Sequence, residues 1–211
     1  MTVLPGRTTL RTVTRDLRVC FVGDSFTVGT GDETGAGWVR PVVAEAIAGG
    51  TALTAYELGV RRDTSLDIAR RFHAEVAARL RDGDDRRVVL SLGANDVSAP
   101  AGRPRVPHER TLAVLTDLLD DAWAAGWRAL VIGPPAALDP AQTGRALDLS
   151  AGMAQVCVEC SVPFVDVAAP LSADAVWSES VRAGDDGAHP GGAGYRRFAE
   201  LVREPLLHWL D

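Results

Sequence analysis

The chain has 211 residues, of which 46% are hydrophobic and 24% are charged, and its formal net charge is −6. These values are typical of one globular domain, and the acidic balance argues against a nucleic-acid partner, which would require a clustered basic surface. All 22 basic residues are arginine, so mechanisms that need a lysine amine, such as a Walker-A phosphate loop, a Schiff base or a serine–lysine hydrolase, are excluded.

The N-terminal segment is polar and is predicted to be an arm, residues 1–17, that precedes a single α/β domain over residues 18–211. It contains no continuous apolar stretch of signal-peptide length. No segment of the chain approaches the roughly 18 uninterrupted apolar residues of a membrane span. These patterns predict a cytoplasmic protein without an integral membrane segment. They leave the oligomeric state unknown.

Short apolar runs alternate with segments of helical periodicity along the chain. The runs predict strands at residues 18–23, 53–58, 88–92, 129–132 and 163–167, and the periodic segments predict helices at 38–48, 66–80, 109–125, 145–159 and 193–210. This alternation is typical of a five-stranded parallel sheet covered by helices on both faces, a three-layer α/β/α, flavodoxin-like architecture. Such folds bind ligands beyond the carboxyl ends of their strands, so the residues after each strand are the candidates for function.

The three cysteines, Cys20, Cys157 and Cys160, give no disulfide framework. Cys157 and Cys160 form a C-x-x-C pair, but the pair lies late in a predicted helix rather than at a helix N-terminus, where a redox thiol is activated. The sequence offers no second pair of zinc ligands at a matching spacing. We therefore expect structural thiols and no metal site.

Residues suited to acyl transfer follow the predicted strands. Ser25 comes after the first strand, at what is predicted to be a strand-to-helix turn, and is a candidate nucleophile. His189, near the last helix, is a candidate base, since an imidazole exchanges protons near neutrality. Asp186, three residues earlier, is placed to orient that imidazole. Gly59 and Asn95 offer donors for an oxyanion, together with the Ser25 amide, and a glycine at position 59 permits a close approach of substrate to the backbone.

Each of these features has an ordinary structural explanation when taken alone. A serine before a helix is usually a cap, and an Asn-Asp pair after a strand is usually a turn. Their combination in this chain order resembles the GDSL-type, or SGNH, hydrolase superfamily of esterases and lipases. The matching blocks are GDSF at 23–26, Gly59, GAND at 93–96 and DGAH at 186–189. The resemblance spans roughly residues 18–208, and its one departure is Phe26 in place of leucine.

The resemblance implies an SGNH-hydrolase architecture, with Ser25 as nucleophile, Asp186 and His189 as the base dyad, and the Ser25 amide, Gly59 and Asn95 as the oxyanion hole. We expect a serine hydrolase that cleaves carboxylic esters of small or short-acyl substrates without cofactor or metal. A thioesterase, a lysophospholipase-type acylhydrolase and an acyltransferase that uses the same triad remain open alternatives. The expected partner is a small-molecule ester.

Five further residues are tentative substrate contacts. Arg61 and Arg62 follow Gly59 and are candidates to hold an anionic group of a substrate, although a solvated loop that leads into the next helix is the more ordinary explanation. Asp24 and Phe26 flank Ser25, and we expect Asp24 to brace the site through hydrogen bonds. Trp177 is a candidate wall of the acyl pocket. The nearby glycines at 29 and 31 do not complete a dinucleotide-binding fingerprint, because the third glycine is replaced by Thr34.

Overall fold

The computed structural model describes residues 15–184 and 186–211, so most of the predicted N-terminal arm lies outside the described residues. Five parallel strands form one sheet in the order β2-β1-β3-β4-β5. The strands are β1 (Leu17–Gly23), β2 (Leu53–Gly59), β3 (Asp85–Ser91), β4 (Arg128–Ile132) and β5 (Phe164–Val165). The predicted fold class, a five-stranded parallel sheet between two helical layers, is confirmed.

Seven helices are described. They are α1 (Val39–Ala48), α2 (Ser65–Leu80), α3 (His108–Ala124), α4 (Pro140–Glu159), α5 (Ala168–Ser172), α6 (Ala175–Ala183) and α7 (Gly192–Leu210). Helices α5 and α6 were not predicted, because five and nine residues are too few for a clear helical period. Helix α4 begins five residues earlier than predicted, since Asp139 caps it and Pro140 occupies its first position. Within the described residues, no helix is both long and apolar enough to cross a membrane.

The core lies in two layers, one on each face of the sheet. Along β1, Val19 and Phe21 belong to the apolar cluster that includes α1 and α7, whereas Cys20 and Val22 belong to the cluster that includes α2, α3 and α4. All four side chains are buried. Successive side chains of a strand point to opposite faces, and a strand buried on both faces reads as a continuous apolar run. This explains why the RVCFVG segment was recognisable as a strand in the sequence.

The three cysteines are free thiols. Burial raises the pKa of Cys20 and of Cys157 to about 12, and it also raises the pKa of Cys160. A raised pKa disfavours the reactive thiolate. Cys157 lies within α4 and Cys160 is its C-terminal cap. The C-x-x-C pair is therefore part of the packing of α4 against the sheet.

Candidate active site

Ser25 lies in a series of turns beyond the carboxyl end of β1. Its carbonyl oxygen accepts a hydrogen bond of 3.0 Å from the amide of Thr30, and the residue is 3% exposed. The next helix, α1, begins only at Val39. Ser25 therefore lies in the connection from β1 to α1, whose start at Val39 is one residue later than predicted, and the glycine-rich segment after Ser25 forms successive turns before that helix.

Ser25, His189 and Asp186 form a continuous hydrogen-bonded chain. The Nε2 atom of His189 lies 2.7 Å from Oγ of Ser25, and its Nδ1 atom lies 2.7 Å from Oδ2 of Asp186. The other carboxylate oxygen of Asp186 accepts hydrogen bonds of 3.0 Å from the backbone amides of Ala188 and His189. These two bonds fold the DGAH segment into a turn, which is how a spacing of three residues brings the carboxylate to the far side of the imidazole.

The charge state of Asp186 determines which atoms carry the protons in the hydrogen bonds between Ser25, His189 and Asp186. Partial burial acts to raise its pKa, but hydrogen bonds from the His189 amide, the His189 ring and the Ala188 amide outweigh it and lower the pKa to about 2. The carboxylate is therefore ionised at neutral pH and can only accept a hydrogen bond. Nδ1 of His189 must carry the proton. In the neutral imidazole, Nε2 is then left to accept the Ser25 hydroxyl proton.

Gly59 lies beside the serine turn because of the strand register. Gly23, at the end of β1, pairs with Gly59 of β2 on one side and with Ser91 of β3 on the other. A methyl group at position 59 would lie 2.6 Å from the carbonyl oxygen of Asp24 and 2.7 Å from the amide nitrogen of Val28. A glycine was expected at position 59 to permit a close approach of substrate. In the structure, a side chain at this position would collide with the turn that carries Ser25, so glycine is required there by packing.

Asn95 and Asp24 are joined through the asparagine side chain. Nδ2 of Asn95 donates a hydrogen bond of 3.1 Å to Oδ2 of Asp24, and Oδ1 of Asp24 accepts one of 2.9 Å from the amide of Phe26. Asp24 is 2% exposed. Burial, with a smaller contribution from the nearby charge of Asp96, raises the pKa of Asp24 to about 7 in spite of these two bonds. Asp24, a tentative substrate contact, is instead a buried brace between the serine turn and Asn95.

Phe26 and Trp177 support the imidazole from behind. The ring of Phe26 lies 4.9 Å from that of His189, and the ring of Trp177 lies 6.3 Å from that of Phe26. Trp177 is 1% exposed, and its indole donates a hydrogen bond of 2.9 Å to the carbonyl of Ala136. The prediction that Trp177 forms a wall of the acyl pocket is therefore corrected, because this residue is covered by its neighbours. Phe26 is also buried and packs against the catalytic candidates.

The two arginines after Gly59 have different surroundings. Nη2 of Arg61 lies 3.1 Å from Oδ2 of Asp186, the oxygen that also faces His189. Arg62 has a positive φ of 71°, and its carbonyl oxygen accepts a hydrogen bond of 3.0 Å from Arg105. Both side chains are exposed, and Arg61 lines the cleft beside His189. Arg61 is thus already engaged with a carboxylate of the protein, which an anionic substrate group would have to displace.

Arg71 shapes the site although it carried no functional signal in the sequence, whereas Asp96, which also shapes it, belongs to the GAND block. Arg71 of α2 donates hydrogen bonds to the carbonyl oxygens of Gly23, at 2.7 Å, and Leu58, at 3.0 Å. It thereby ties together the ends of β1 and β2. Asp96, which is fully buried, accepts hydrogen bonds of 2.9 Å from the Ser65 amide and the Thr111 hydroxyl. Asp96 thereby fastens the segment after β3 to α2 and α3.

The loop between Ser25 and α1 is fastened to the start of α7. Glu33 accepts a hydrogen bond of 2.8 Å from the amide of Gly192, and the hydroxyl of Tyr195 donates one of 2.8 Å to the carbonyl of Thr30.

A cleft of about 640 Å³ opens between this loop, α6 and the DGAH turn. His189 and Asp186 line it. Within residues 15–184 and 186–211, no three His, Cys, Asp or Glu side chains are grouped so that they could hold a metal ion.

Comparisons with known proteins identify the family and the fold of the chain. The profile of the GDSL-like lipase/acylhydrolase family matches residues 21–197. A search of curated protein sequences found no significant match. The solved lipase/acylhydrolase from Enterococcus faecalis superposes with a TM-score of 0.75 at 23% identity, covering 92% of this chain and 97% of that one.

Two esterase structures are also similar in fold. The psychrotrophic esterase EstA from Pseudoalteromonas sp. superposes with a TM-score of 0.71 at 18% identity, covering 92% of this chain and 99% of that one. The acetylxylan esterase Axe2 from Geobacillus stearothermophilus, a catalytic mutant, superposes with a TM-score of 0.71 at 19% identity, covering 91% and 95%. At these identities the structures bear on the fold alone. The family profile covers most of the chain, and the protein belongs to the GDSL-like lipase/acylhydrolase family.

Proposed function

We propose that this protein is a serine hydrolase that cleaves carboxylic esters of small or short-acyl substrates through an acyl-enzyme on Ser25. The observation that carries the proposal is the pair of 2.7 Å contacts from His189, one to the Ser25 hydroxyl and one to Asp186. A nucleophile in contact with a base that is oriented by a third group is the arrangement required for activated serine chemistry. Membership of an acylhydrolase family supports the same reaction.

The reaction follows from the proton positions in the site. Nε2 of His189 takes the Ser25 proton while Oγ forms a bond to the ester carbonyl carbon, and the carbonyl oxygen becomes an oxyanion. The amides of Ser25 and Gly59 and Nδ2 of Asn95 are the proposed donors to that oxyanion. Asp186 stabilises the imidazolium. The intermediate collapses as the C–O bond to the alcohol breaks and Nε2 returns the proton to it. A water molecule then gives a proton to Nε2 and attacks the acyl carbon. The bond between that carbon and Oγ of Ser25 breaks, Nε2 returns the proton to Oγ, and the acid is released.

The lining of the cleft supports a hydrophilic ester. Beside His189 the cleft presents mainly glycines and polar side chains, among them Thr30, Glu33, Glu179 and Ser180. Among the described residues that line the cleft, Val176 is the largest aliphatic side chain, so a long hydrocarbon chain, whose burial provides most of the binding energy of a lipid, would find few large apolar partners there. Axe2, one of the structurally similar proteins, is an acetylxylan esterase. We therefore propose short acyl groups on polar alcohols, including acetylated sugars, as substrates.

The nucleophile is tested by activity and by covalent labelling. Wild type, Ser25→Ala and the exposed control Ser172→Ala are assayed on p-nitrophenyl acetate and treated with a fluorophosphonate, followed by intact-mass analysis. Ser25→Ala should lose both hydrolysis and labelling, whereas Ser172→Ala should keep both, because an unactivated serine does not react with the probe. Undiminished hydrolysis by Ser25→Ala would refute the mechanism.

The substrate class is tested on the wild-type protein. Its kcat/KM is compared for acetyl, butyryl and octanoyl p-nitrophenyl esters, and acetate release is measured from an acetylated sugar. We expect the acetyl ester to be preferred and the acetylated sugar to be cleaved. A clear preference for the octanoyl ester would exclude the short-acyl assignment while leaving the role of Ser25 intact.

A further inference from the structure

One arginine connects two of the three chain segments that carry the proposed oxyanion donors, the segment after Gly59 and the segment that holds Asn95. Arg105 lies in the loop between β3 and α3. Its Nη1 atom donates a hydrogen bond of 3.2 Å to Oδ1 of Asn95, and its Nη2 atom donates one of 3.0 Å to the carbonyl oxygen of Arg62. The two acceptors follow different strands, β3 and β2, so a single guanidinium bridges the segments on either side of the serine turn.

The first of these contacts determines which way the Asn95 amide points. A guanidinium has donors only, so the atom that faces Arg105 must be the amide oxygen. The nitrogen then faces Asp24, to which it donates a hydrogen bond of 3.1 Å. Nδ2 carries two hydrogens, and one of them remains for an oxyanion. In the reversed orientation the amide oxygen would face the developing negative charge and repel it.

The second contact acts on the segment that follows Gly59. Arg62, three residues beyond that glycine, has a φ of 71°, which is an unfavourable conformation for a residue with a side chain. Its carbonyl oxygen is held by Arg105. A bond to the peptide group of a residue in this conformation helps to stabilise the turn, and this turn continues directly from the Gly59 amide.

We propose that Arg105 is a positioning residue that orients the Asn95 amide, and with it the segment after Gly59, so that both oxyanion donors point at the reacting carbonyl. This inference rests on the proposed function, in which Asn95 and Gly59 stabilise the oxyanion. Removal of an oxyanion donor costs roughly 10²–10³ in kcat. Without Arg105 the donor remains and keeps its hydrogen bond to Asp24 but loses the partner that fixes its oxygen, so we expect a smaller loss of about tenfold.

The kinetic test compares four variants with the wild type on a soluble acetyl ester. They are Arg105→Ala, Arg105→Lys, Asn95→Ala and the double variant of Asn95→Ala with Arg105→Ala. Arg103→Ala is the matched control, since Arg103 is an exposed arginine of the same loop. Arg105→Ala should lower kcat about tenfold with KM changed less than about twofold. Arg105→Lys should recover part of the loss, because an ammonium keeps the charge but lacks the planar fork for two acceptors.

The double variant distinguishes orientation of Asn95 from a general structural effect. Residues that act through one another are not additive, so Arg105→Ala should cost no more than about threefold once Asn95 is alanine. A full tenfold loss in the Asn95→Ala background, or activity of Arg105→Ala equal to that of Arg103→Ala, would overturn the proposal.

A second measurement does not depend on hydrolysis. In ¹⁵N-labelled protein, the Asn95 side-chain amide signals are assigned by their absence in Asn95→Asp. These signals should shift and exchange with water faster in Arg105→Ala than in Arg103→Ala. Unchanged signals in Arg105→Ala would refute the positioning role whatever the activity. Failure of the wild type to hydrolyse any ester, with the signals altered as expected, would instead refute the proposed function and leave the orientation of Asn95 by Arg105 supported.

Discussion

Gly31 lies directly against His189. A methyl group at position 31 would be 3.0 Å from Cβ of His189 and 2.9 Å from the carbonyl oxygen of Pro190, and the φ of Gly31 is 92°. Both distances are shorter than ordinary van der Waals contact. The loop that follows the candidate nucleophile therefore also sets the position of the candidate base, and it can do so only with a glycine at this point.

Gly31→Ala is expected to lower both stability and activity. The added methyl group forces the imidazole away from Ser25, and misplacement by about 1 Å can cost about 10²-fold in rate. Gly35→Ala is the matched control, since Gly35 also has a positive φ, of 66°, but has no atom within 4 Å of the added carbon. Both variants should lose about 1 kcal/mol or more in urea unfolding, and only Gly31→Ala should lose most of its kcat. Equal kcat values for the two variants would contradict the role of this contact.

Asp186→Asn is expected to reduce kcat by about 10³–10⁴-fold, in line with the loss of the equivalent group from other serine triads. The asparagine side chain can present its NH₂ to Nδ1 of His189. This favours the tautomer with the proton on Nε2 and removes the acceptor for the Ser25 hydroxyl. Steady-state kinetics on a p-nitrophenyl ester measure the effect. Asp117→Asn, on the exposed side of α3, should behave as wild type. Full activity of Asp186→Asn would show that His189 does not depend on this carboxylate.

Asp24 should make the fold less stable as the pH rises from about 4 to about 7. Its pKa is raised by burial to about 7 in the folded protein, against about 3.9 for an unfolded aspartate. In this interval the unfolded chain has lost the proton that the folded chain still holds, so the free energy of unfolding falls with pH. Each unit of pKa shift corresponds to about 1.4 kcal/mol.

Urea unfolding at several pH values measures this dependence in wild type and in Asp24→Asn. The difference in the free energy of unfolding between the two proteins should change by a few kcal/mol from pH 4 to pH 7 and then level off. Asp117→Asn serves as the control and should follow the wild-type curve. Parallel curves for wild type and Asp24→Asn would mean that Asp24 titrates in the folded protein as it does in the unfolded chain.

Arg61→Ala is expected to affect neutral and anionic acetyl esters alike. The Arg61 side chain is 53% exposed and pairs with Asp186, whose side chain is 38% exposed, and such exposed pairs contribute little because solvent screens them. We expect kcat/KM to fall by less than about threefold for both esters. A loss confined to the anionic ester would restore Arg61 as a substrate-binding residue.

The sequence was most informative where a short run of neighbouring residues is enough to identify a strand or a reactive turn. β1 was recognisable because its residues are apolar on both faces, and the GDSF, GAND and DGAH blocks mark the turns that follow strands or precede α7. The start of β3 was missed, because Arg86 and Arg87 interrupt the apolar run. Arg87 is fully buried, pairs with Asp85 at 2.9 Å and lies over the ring of Trp209. A charged side chain is buried only when partners compensate its charge. Because one of these partners, Trp209, is far from Arg87 in the sequence, the burial of Arg87 could not be predicted.

By itself, then, the sequence determined the order of the five strands and the five longer helices, the class of fold and the types of group that can react, because hydrophobic periodicity and turn residues act over short stretches of chain. Only the tertiary structure decided how those groups are used. Ser25 and His189 are 164 positions apart, and their contact depends on packing between the two helical layers and the sheet. Tertiary packing likewise decides the pairing of Arg61 with Asp186, the burial of Trp177 and the hydrogen bond from Arg105 to Asn95. Arg61 and Asp186 are 125 positions apart, and Arg105 and Asn95, although only ten positions apart, meet through a loop, so no periodicity in the chain marks these contacts in advance.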